Sequence, residues 1–367
     1  MIPITKPTLP SYAELEDDLR EIIGTGIITN GKYVAEFEQK ASEYLDARYV
    51  VGVSSCTTGL ILALSTLPKG SEVLMPGYTF SATYQAIKWN NLKPILADCD
   101  ESCNIEPKDA KKKITKNTSA ILAVHMYGTP CPIDELEEIA RSSGIVLFFD
   151  AAHAFGSIYR KRYIGNFGKA EVFSLGPTKT LPCGEGGLIV TNDKEFADKM
   201  VLARNHGHTH NSLDCIVPGL NGRLQEISGA IGIHILKRME QNVTRRNRLS
   251  HVYTEKLSKF PGVSFPVVPS DVRSTFKDYS IFIDKEEFGI DRDRLGDELL
   301  KRGIVTKQYF YPPIHNLTIS SEEFKGLSLP NTLKKSRSVI SLPLYSHMPE
   351  EEVNFICDAF AEIYRRG

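Results

Sequence analysis

Between Tyr49 and Thr191 short apolar runs alternate with helix-like stretches, and no other feature narrows the possible architectures as far. Tyr49–Val53, Glu72–Met75, Pro94–Ala97, Ala120–Val124, Ile145–Phe149 and Val172–Ser174 largely lack the polar–apolar alternation of a strand with one wet face. They predict strands buried on both sides. Helical periodicity fills intervals near Thr58–Leu67, Tyr84–Ile87 and Ile133–Arg141, and returns at Phe196–Arg204. This order predicts an α/β fold: a mostly parallel sheet covered by helices on both faces, with active groups gathered at the strand ends. After Asn221 two long helical segments dominate, Gln225–Met239 and Thr244–Leu257, and from about Val263 strands and helices alternate again. At 367 residues the chain exceeds one typical core. We expect a large domain over 1–240 and a smaller C-terminal α/β domain over 241–367.

The N-terminal segment supplies two helices and one false lead. Ser11 and Glu14 have capping-box spacing and open a helix through Leu15, Leu19, Ile22 and Ile23, expected to close at Gly24. Gly26-Ile-Ile-Thr-Asn-Gly-Lys32-Tyr33 approaches a phosphate-loop motif, but Tyr33 stands where a magnesium-binding Ser or Thr is required. A helix precedes it where a buried strand should be, so a nucleotide triphosphatase is set aside. A second helix is expected from Val34 to Leu45.

Composition narrows the partners. With 41% hydrophobic and 24% charged residues and a formal net charge of −1, this is an ordinary globule without a strongly basic face for nucleic acid. The cysteines, at 56, 99, 103, 131, 183, 215 and 357, form an odd set with no Cys-x-x-Cys spacing, as expected of free cytosolic thiols. Met1-Ile-Pro-Ile-Thr-Lys-Pro7 lacks the apolar core of a signal peptide, and no apolar run reaches the roughly 18 residues of a membrane span. A cytoplasmic protein with neither a nucleic-acid nor a membrane partner is expected.

The chemistry points to one lysine. Lys179 comes after the strand ending at Ser174, stands between Pro177 and Pro182, and is followed by a glycine-rich return, Gly184 to Gly187, into a second strand ending at Thr191. Most lysines are solvated surface charges. One held by tight turns near apolar strand ends can have its pKa lowered, which frees the amine to attack a carbonyl and form a Schiff base.

Three other constellations bear on it. Val53-Ser-Ser-Cys-Thr-Thr-Gly-Leu60 places small hydroxylated residues after a strand and before a helix, where free N–H groups and the helix dipole suit an anion, or where Ser55 or Thr57 simply caps the helix. Leu147-Phe-Phe-Asp150-Ala-Ala-His153 ends an apolar strand in a carboxylate, costly unless a cation or several donors meet it; a helix cap with an incidental core histidine is the plainer reading. Phe80, in the turn Pro76-Gly-Tyr-Thr-Phe80, could stack on a planar ring or pack in the core. Pyridoxal phosphate calls for all of them at once: a lysine for its aldehyde, an acid opposite its ring nitrogen, a donor nest for its phosphate and a face to stack on. Asp150 suits the ring nitrogen, and Lys179 is placed to shuttle the substrate proton.

Together with Thr29-Asn-Gly31, Phe37-Glu38, Asn221-Gly-Arg223 and Tyr309-Phe-Tyr-Pro-Pro-Ile-His315, these segments resemble the DegT/StrS-type sugar aminotransferases, of the aspartate-aminotransferase fold (fold type I), over nearly the whole chain. The resemblance implies that Lys179 bonds the cofactor aldehyde, Asp150 pairs with the pyridine nitrogen, His153 lies near the phenolic oxygen and Phe80 covers the ring. It implies phosphate contacts from Thr57, Thr58 and Ser174, with Asn221 reaching across from the second subunit of a homodimer whose active site lies at the interface. Tyr311 and His315 fall where the family approaches its substrate; Arg223 would meet a donor carboxylate or, our preference, brace a loop. Some members carry histidine in place of the aldehyde-bonding lysine and act as sugar 3-dehydratases; Lys179 favours transamination. His153, where many 3-amino-sugar members have glutamine, tilts the expectation toward C4.

His206-Gly-His208-Thr-His210 could bind a metal, but only Asp214 and Cys215 lie near enough to join it, and we expect a solvated loop and no metal. The expected reaction moves an amino group from an amino acid, glutamate by preference, to a keto-sugar carried on a nucleotide diphosphate. Two competing readings are amination of a keto-cyclitol or aromatic precursor, and a non-catalytic cofactor-binding regulator or scaffold.

Overall fold

A computed structural model describes residues 1–209 and 212–365. Seven strands form the main sheet: β1 (Tyr49–Val53), β2 (Glu72–Pro76), β3 (Lys93–Ala97), β4 (Thr118–Val124), β5 (Val146–Asp150), β6 (Ala170–Ser174) and β7 (Gly187–Thr191), in the order β1-β7-β6-β5-β4-β2-β3. The pairs from β3 through β2, β4 and β5 to β6 are parallel, whereas β7 runs antiparallel to both β6 and β1. The reason is local. The segment from Leu175 to Gly186 turns straight back, tied by Leu175 N–H to Gly186 O and Cys183 N–H to Leu175 O, so β7 returns beside β6 without the crossover a parallel pair needs.

Successive residues of each strand feed two different cores. Leu147, Phe149, Leu188 and Val190 pack on one face of the sheet; Phe148 and Ile189 pack on the other. This explains why the strands read as unbroken apolar runs.

Four early helices frame the sheet: α1 (Tyr12–Thr25), α2 (Lys32–Leu45), α3 (Cys56–Leu64) and α4 (Ser81–Trp89). The Glu14 carboxylate accepts both the N–H and the hydroxyl of Ser11, as the capping-box spacing predicts. α1 passes through Gly24, the expected stop, and ends at Gly26, whose φ of 69° supplies the left-handed cap. Gly24 continues the helix because nothing at that position requires a positive φ. The near-miss phosphate loop also has a structural account. The free N–H groups of Gly31, Tyr33 and Val34 at the start of α2 are taken by one internal anion, the carboxylate of Glu226, at 2.7, 2.8 and 3.1 Å.

The smaller core lies around a three-stranded antiparallel sheet, Val263–Ser264, Tyr279–Ile283 and Val339–Leu342, packed by helices Arg292–Lys301 and Glu350–Tyr364. Helix Met239–Leu257 serves both cores: Met239 and Val243 belong to the large one, Leu249, Tyr253 and Leu257 to the small one. The first residues of the chain join the C-terminal unit, where Ile2 bridges Ile304. No helix among the described residues is long and apolar enough to cross a membrane.

Candidate active site

Parallel strands end together at one edge of the sheet, and the turns after them converge there. β5 ends at Asp150, β6 ends at Ser174 and leads to Lys179, and β1 leads into α3. Ser55, Thr57, Phe80, Asp150, His153, Ser174 and Lys179 line one cavity of about 340 Å³, a volume within the range of small-ligand sites.

Lys179 sits in a turn closed by its own N–H on Gly176 O at 3.0 Å. Its side chain is half-buried and faces the cavity, and among the described residues it forms no ion pair. Desolvation by the crowded wall lowers its pKa to about 8, with the charge of Lys277 adding to the effect and those of Asp278 and Asp150 opposing it. Asp150 is 5% exposed. Burial raises its pKa, while hydrogen bonds from the Thr83 hydroxyl (2.8 Å) and Ala152 N–H (3.1 Å) and the charges of Lys179 and His125 pull it down. A buried carboxylate held this way would be stabilised by a cation across the cavity. His153 is buried, its Nδ1 has no partner among the described residues, and burial, reinforced by Lys179 and Lys277, pushes its pKa well below the usual value, leaving a neutral imidazole.

The hydroxylated turn is a helix start. Ser55 caps α3 by accepting the Thr58 N–H at 3.0 Å, and the N–H groups of Cys56 and Thr57 have no partner among the described residues. Gly187 fixes this start against β7: a Cβ there would lie 2.6 Å from Cys56 N and 2.7 Å from Ser55 C. The donor nest therefore stands where strand and helix backbones touch. Phe80, the residue before α4, is 56% exposed, and its ring lies 5.7 Å from that of Phe310. Phe310 in turn stacks beside His153, at 6.2 Å and 16°. A lysine, a buried acid, free amides at a helix start and an uncovered aromatic on one wall fit pyridoxal phosphate.

Other expected site residues lie outside this lining. Thr58 contributes its N–H to the cap, and its hydroxyl contacts Ser54 and Ser55. Tyr311 lines an adjoining cleft of about 630 Å³ that shares Phe80, Tyr309 and Phe310 with the cavity, and it lies under the Arg292 guanidinium at 4.4 Å. His315 is buried near Asp98, with its Nδ1 unpartnered among the described residues. Asn221 is exposed and bridges Asn205, the residue whose side chain also accepts from Arg223 at 2.9 Å. Through that bond Arg223 ties two loop segments together. His206 and His208 stack at 5.5 Å, His210 lies outside the described residues, and no metal-binding group of three appears among those described.

Sequence reasoning missed Lys277, Tyr309 and Phe310 as wall residues, and Thr83 as the buried partner of Asp150 behind the wall. The signal for Lys277 was weak but present: Lys277-Asp278 is a charge pair placed directly before the apolar strand Tyr279–Ile283. Tyr309 is held by tyrosines far away in sequence. Its carbonyl accepts from Tyr78 at 2.9 Å and from Tyr127, which themselves pair at 2.7 Å.

The profile of the DegT/DnrJ/EryC1/StrS aminotransferase family matches residues 11–361. The chain is 32% identical to GDP-perosamine synthase of Escherichia coli O157:H7, over 99% of this chain and 98% of the relative. It is 32% identical to dTDP-4-amino-4,6-dideoxy-D-glucose transaminase of Escherichia coli, over 96% of each. Among solved structures, DesI, determined in the presence of its TDP-sugar product, superposes with a TM-score of 0.92 at 30% identity, over 100% of this chain and 93% of that one.

Proposed function

The chain belongs to the DegT/DnrJ/EryC1/StrS aminotransferase family, whose enzymes depend on pyridoxal phosphate, and on that premise we propose that it transfers an amino group from L-glutamate to C4 of a nucleotide-diphosphate-linked 4-keto-6-deoxyhexose. The observation carrying the chemistry is that Lys179, with its lowered pKa, shares one cavity with buried Asp150 and with the free amides of α3. Two relatives whose names specify GDP-perosamine and a dTDP-4-amino sugar, with His153 on the wall, support amination at C4.

Pyridoxal phosphate, when bound, supplies an aldehyde that bonds amines and a protonated ring that accepts the electron pair left by a departing proton. Asp150 would hold that proton on the ring nitrogen by its negative charge, and the Thr83 hydroxyl keeps the carboxylate aimed. The N–H groups of Cys56 and Thr57 and the hydroxyls of Thr57 and Ser174 would hold the phosphate, with Thr58 tightening the helix start behind them. Phe80 would cover one ring face, and the neutral His153 would serve the phenolic oxygen. Lys179 would hold the aldehyde, and its amine, once freed by the incoming donor, would be the group that takes up and returns the donor's α-proton. The same amine would serve the sugar in the reverse sense, so the two substrates would alternate in one site.

The reading includes a homodimer. Ile27 and Ile28 lie exposed beside Ile227, since the Glu226 N–H pairs with Ile28 O, and an apolar patch of this kind suits a second copy. Asn221, also exposed, would reach the phosphate in the opposite subunit, while Tyr311 and His315 would flank the path of the sugar.

The test is to supply L-glutamate with GDP- and dTDP-linked 4-keto-6-deoxyhexoses, and separately with free keto-cyclitols. We expect 2-oxoglutarate and a 4-amino nucleotide-sugar, with the new C–N bond located by NMR. Turnover confined to cyclitols would overturn the substrate reading.

A further inference from the structure

The aminotransferase reading requires an amino-acid donor, and a donor brings a carboxylate to the same carbon whose proton Lys179 removes. That carboxylate must come to rest on the cavity wall within a bond or two of the reacting centre. Entering an enclosed site, it loses hydration and needs a cation or several donors in exchange. Lys179 cannot serve, because its amine must be neutral to take the proton. His153 is held neutral, and Arg223 is engaged with Asn205 outside the cavity. Among the described wall residues the remaining cation is Lys277.

Lys277 is 5% exposed, and its ammonium pairs with Asp278 Oδ1 at 2.7 Å. It stands 5.0 Å from the centre of the Tyr309 ring. An ammonium has three N–H donors. One is used by Asp278, and among the described residues no other acceptor bonds this group. Its main chain is fixed on both sides, by Lys277 N–H on Tyr127 O at 2.8 Å and by Arg246 donating to Lys277 O at 2.6 Å. The charge is thus placed rigidly on the wall, supported by a counter-ion, with donor capacity left over.

We propose that Lys277 is the receptor for the α-carboxylate of the amino donor, and thereby a specificity residue that acts in the amino-acid half of the reaction and not in the sugar half. The sugar carries no carboxylate next to its reacting carbon, so it gains nothing from this cation there. Lys277 also adds a like charge beside Lys179, which supports the neutral amine. A neutralised Lys277, once paired with a donor carboxylate, would relax that repulsion.

The test uses the cofactor-loaded protein and two amines: α-methyl-L-glutamate, whose α-carbon has no proton to lose and which therefore only binds, and 4-aminobutyrate, which lacks the α-carboxylate and is read from the initial absorbance change before any turnover. Binding is read as the absorbance change of the bound cofactor. In Lys277→Met, affinity for α-methyl-L-glutamate should fall at least tenfold while that for 4-aminobutyrate stays within twofold, and Lys277→Arg should restore most of the loss. Should Lys277→Met fail to hold cofactor because Asp278 is left unpaired, the double variant Lys277→Met with Asp278→Asn is read in its place. Unchanged affinity for α-methyl-L-glutamate, or equal losses for both amines, overturns the proposal while leaving the aminotransferase reading standing. If the unaltered protein responds to no amino acid at all, both fall together.

Discussion

The Thr83 hydroxyl, inside α4, donates to Oδ2 of Asp150 across 2.8 Å, joining the end of β5 to a helix that begins beside Phe80. The acid and the stacking ring are therefore set by the same short helix. Replacing Thr83 with Val keeps the volume and removes the donor. Loss of one hydrogen bond to a buried charge should cost about 1–3 kcal/mol of stability, measured by urea unfolding. Because the carboxyl then rises further above its usual range, cofactor affinity should fall as well. A variant with unchanged unfolding midpoint and unchanged affinity would refute the role.

Lys179→Ala should abolish turnover, since the other amine on the wall, Lys277, is tied to Asp278. Asp150→Asn should reduce turnover at least about a hundredfold by removing the charge that keeps the ring nitrogen protonated. Both variants should keep the native circular dichroism spectrum. Steady-state assay with glutamate checks them, and near-normal rates in the Lys179 variant would sink the enzyme reading.

The pKa of about 8 at Lys179 has a pH consequence. A lysine with its usual value is about 0.03% neutral at pH 7, whereas one near 8 is roughly 10% neutral. The neutral amine is the reactive form, so capture of pyridoxal phosphate by the cofactor-free protein should speed up as pH rises. The rate should increase about tenfold per unit below pH 8 and level off above about 9. Rapid-mixing absorbance measures this, and a midpoint near that of an ordinary lysine would contradict the desolvated setting.

Glu226, 2% exposed, accepts three N–H groups from the start of α2. Glu226→Ala leaves those donors buried without an acceptor and should destabilise the protein by roughly 2–4 kcal/mol. Thermal unfolding checks the loss. Since the same contact orders the chain beside Ile27 and Ile28, size-exclusion chromatography should show the proposed dimer weakened in this variant.

The alternation from Tyr49 to Thr191 made the α/β class and the strand positions readable, because strands buried on both faces are apolar at nearly every position, buried Glu171 being an exception. Lys179, Asp150, His153, Phe80 and Ser174 were readable for a related reason: each lies at or just past the end of a strand, and parallel strands bring their C-terminal turns to one edge. Groups brought in from elsewhere left little or no signal of their role in the sequence. Lys277 comes from the second core, and Tyr309 and Phe310 are held in place through Tyr78 and Tyr127, which lie 231 and 182 positions from Tyr309. Glu226, 195 positions from Gly31, fills an anion site that looked like a phosphate loop.

Local spacing, then, determined the sheet, the helix caps and the candidate lysine with its acid, since these depend on periodicity and on residues close in sequence. Only the tertiary structure decided which charges face Lys179, which acceptor satisfies the start of α2 and which aromatic rings close the cavity. Electrostatic and packing energies depend on distance in space, and distances between segments far apart in the chain are set by the packed fold alone.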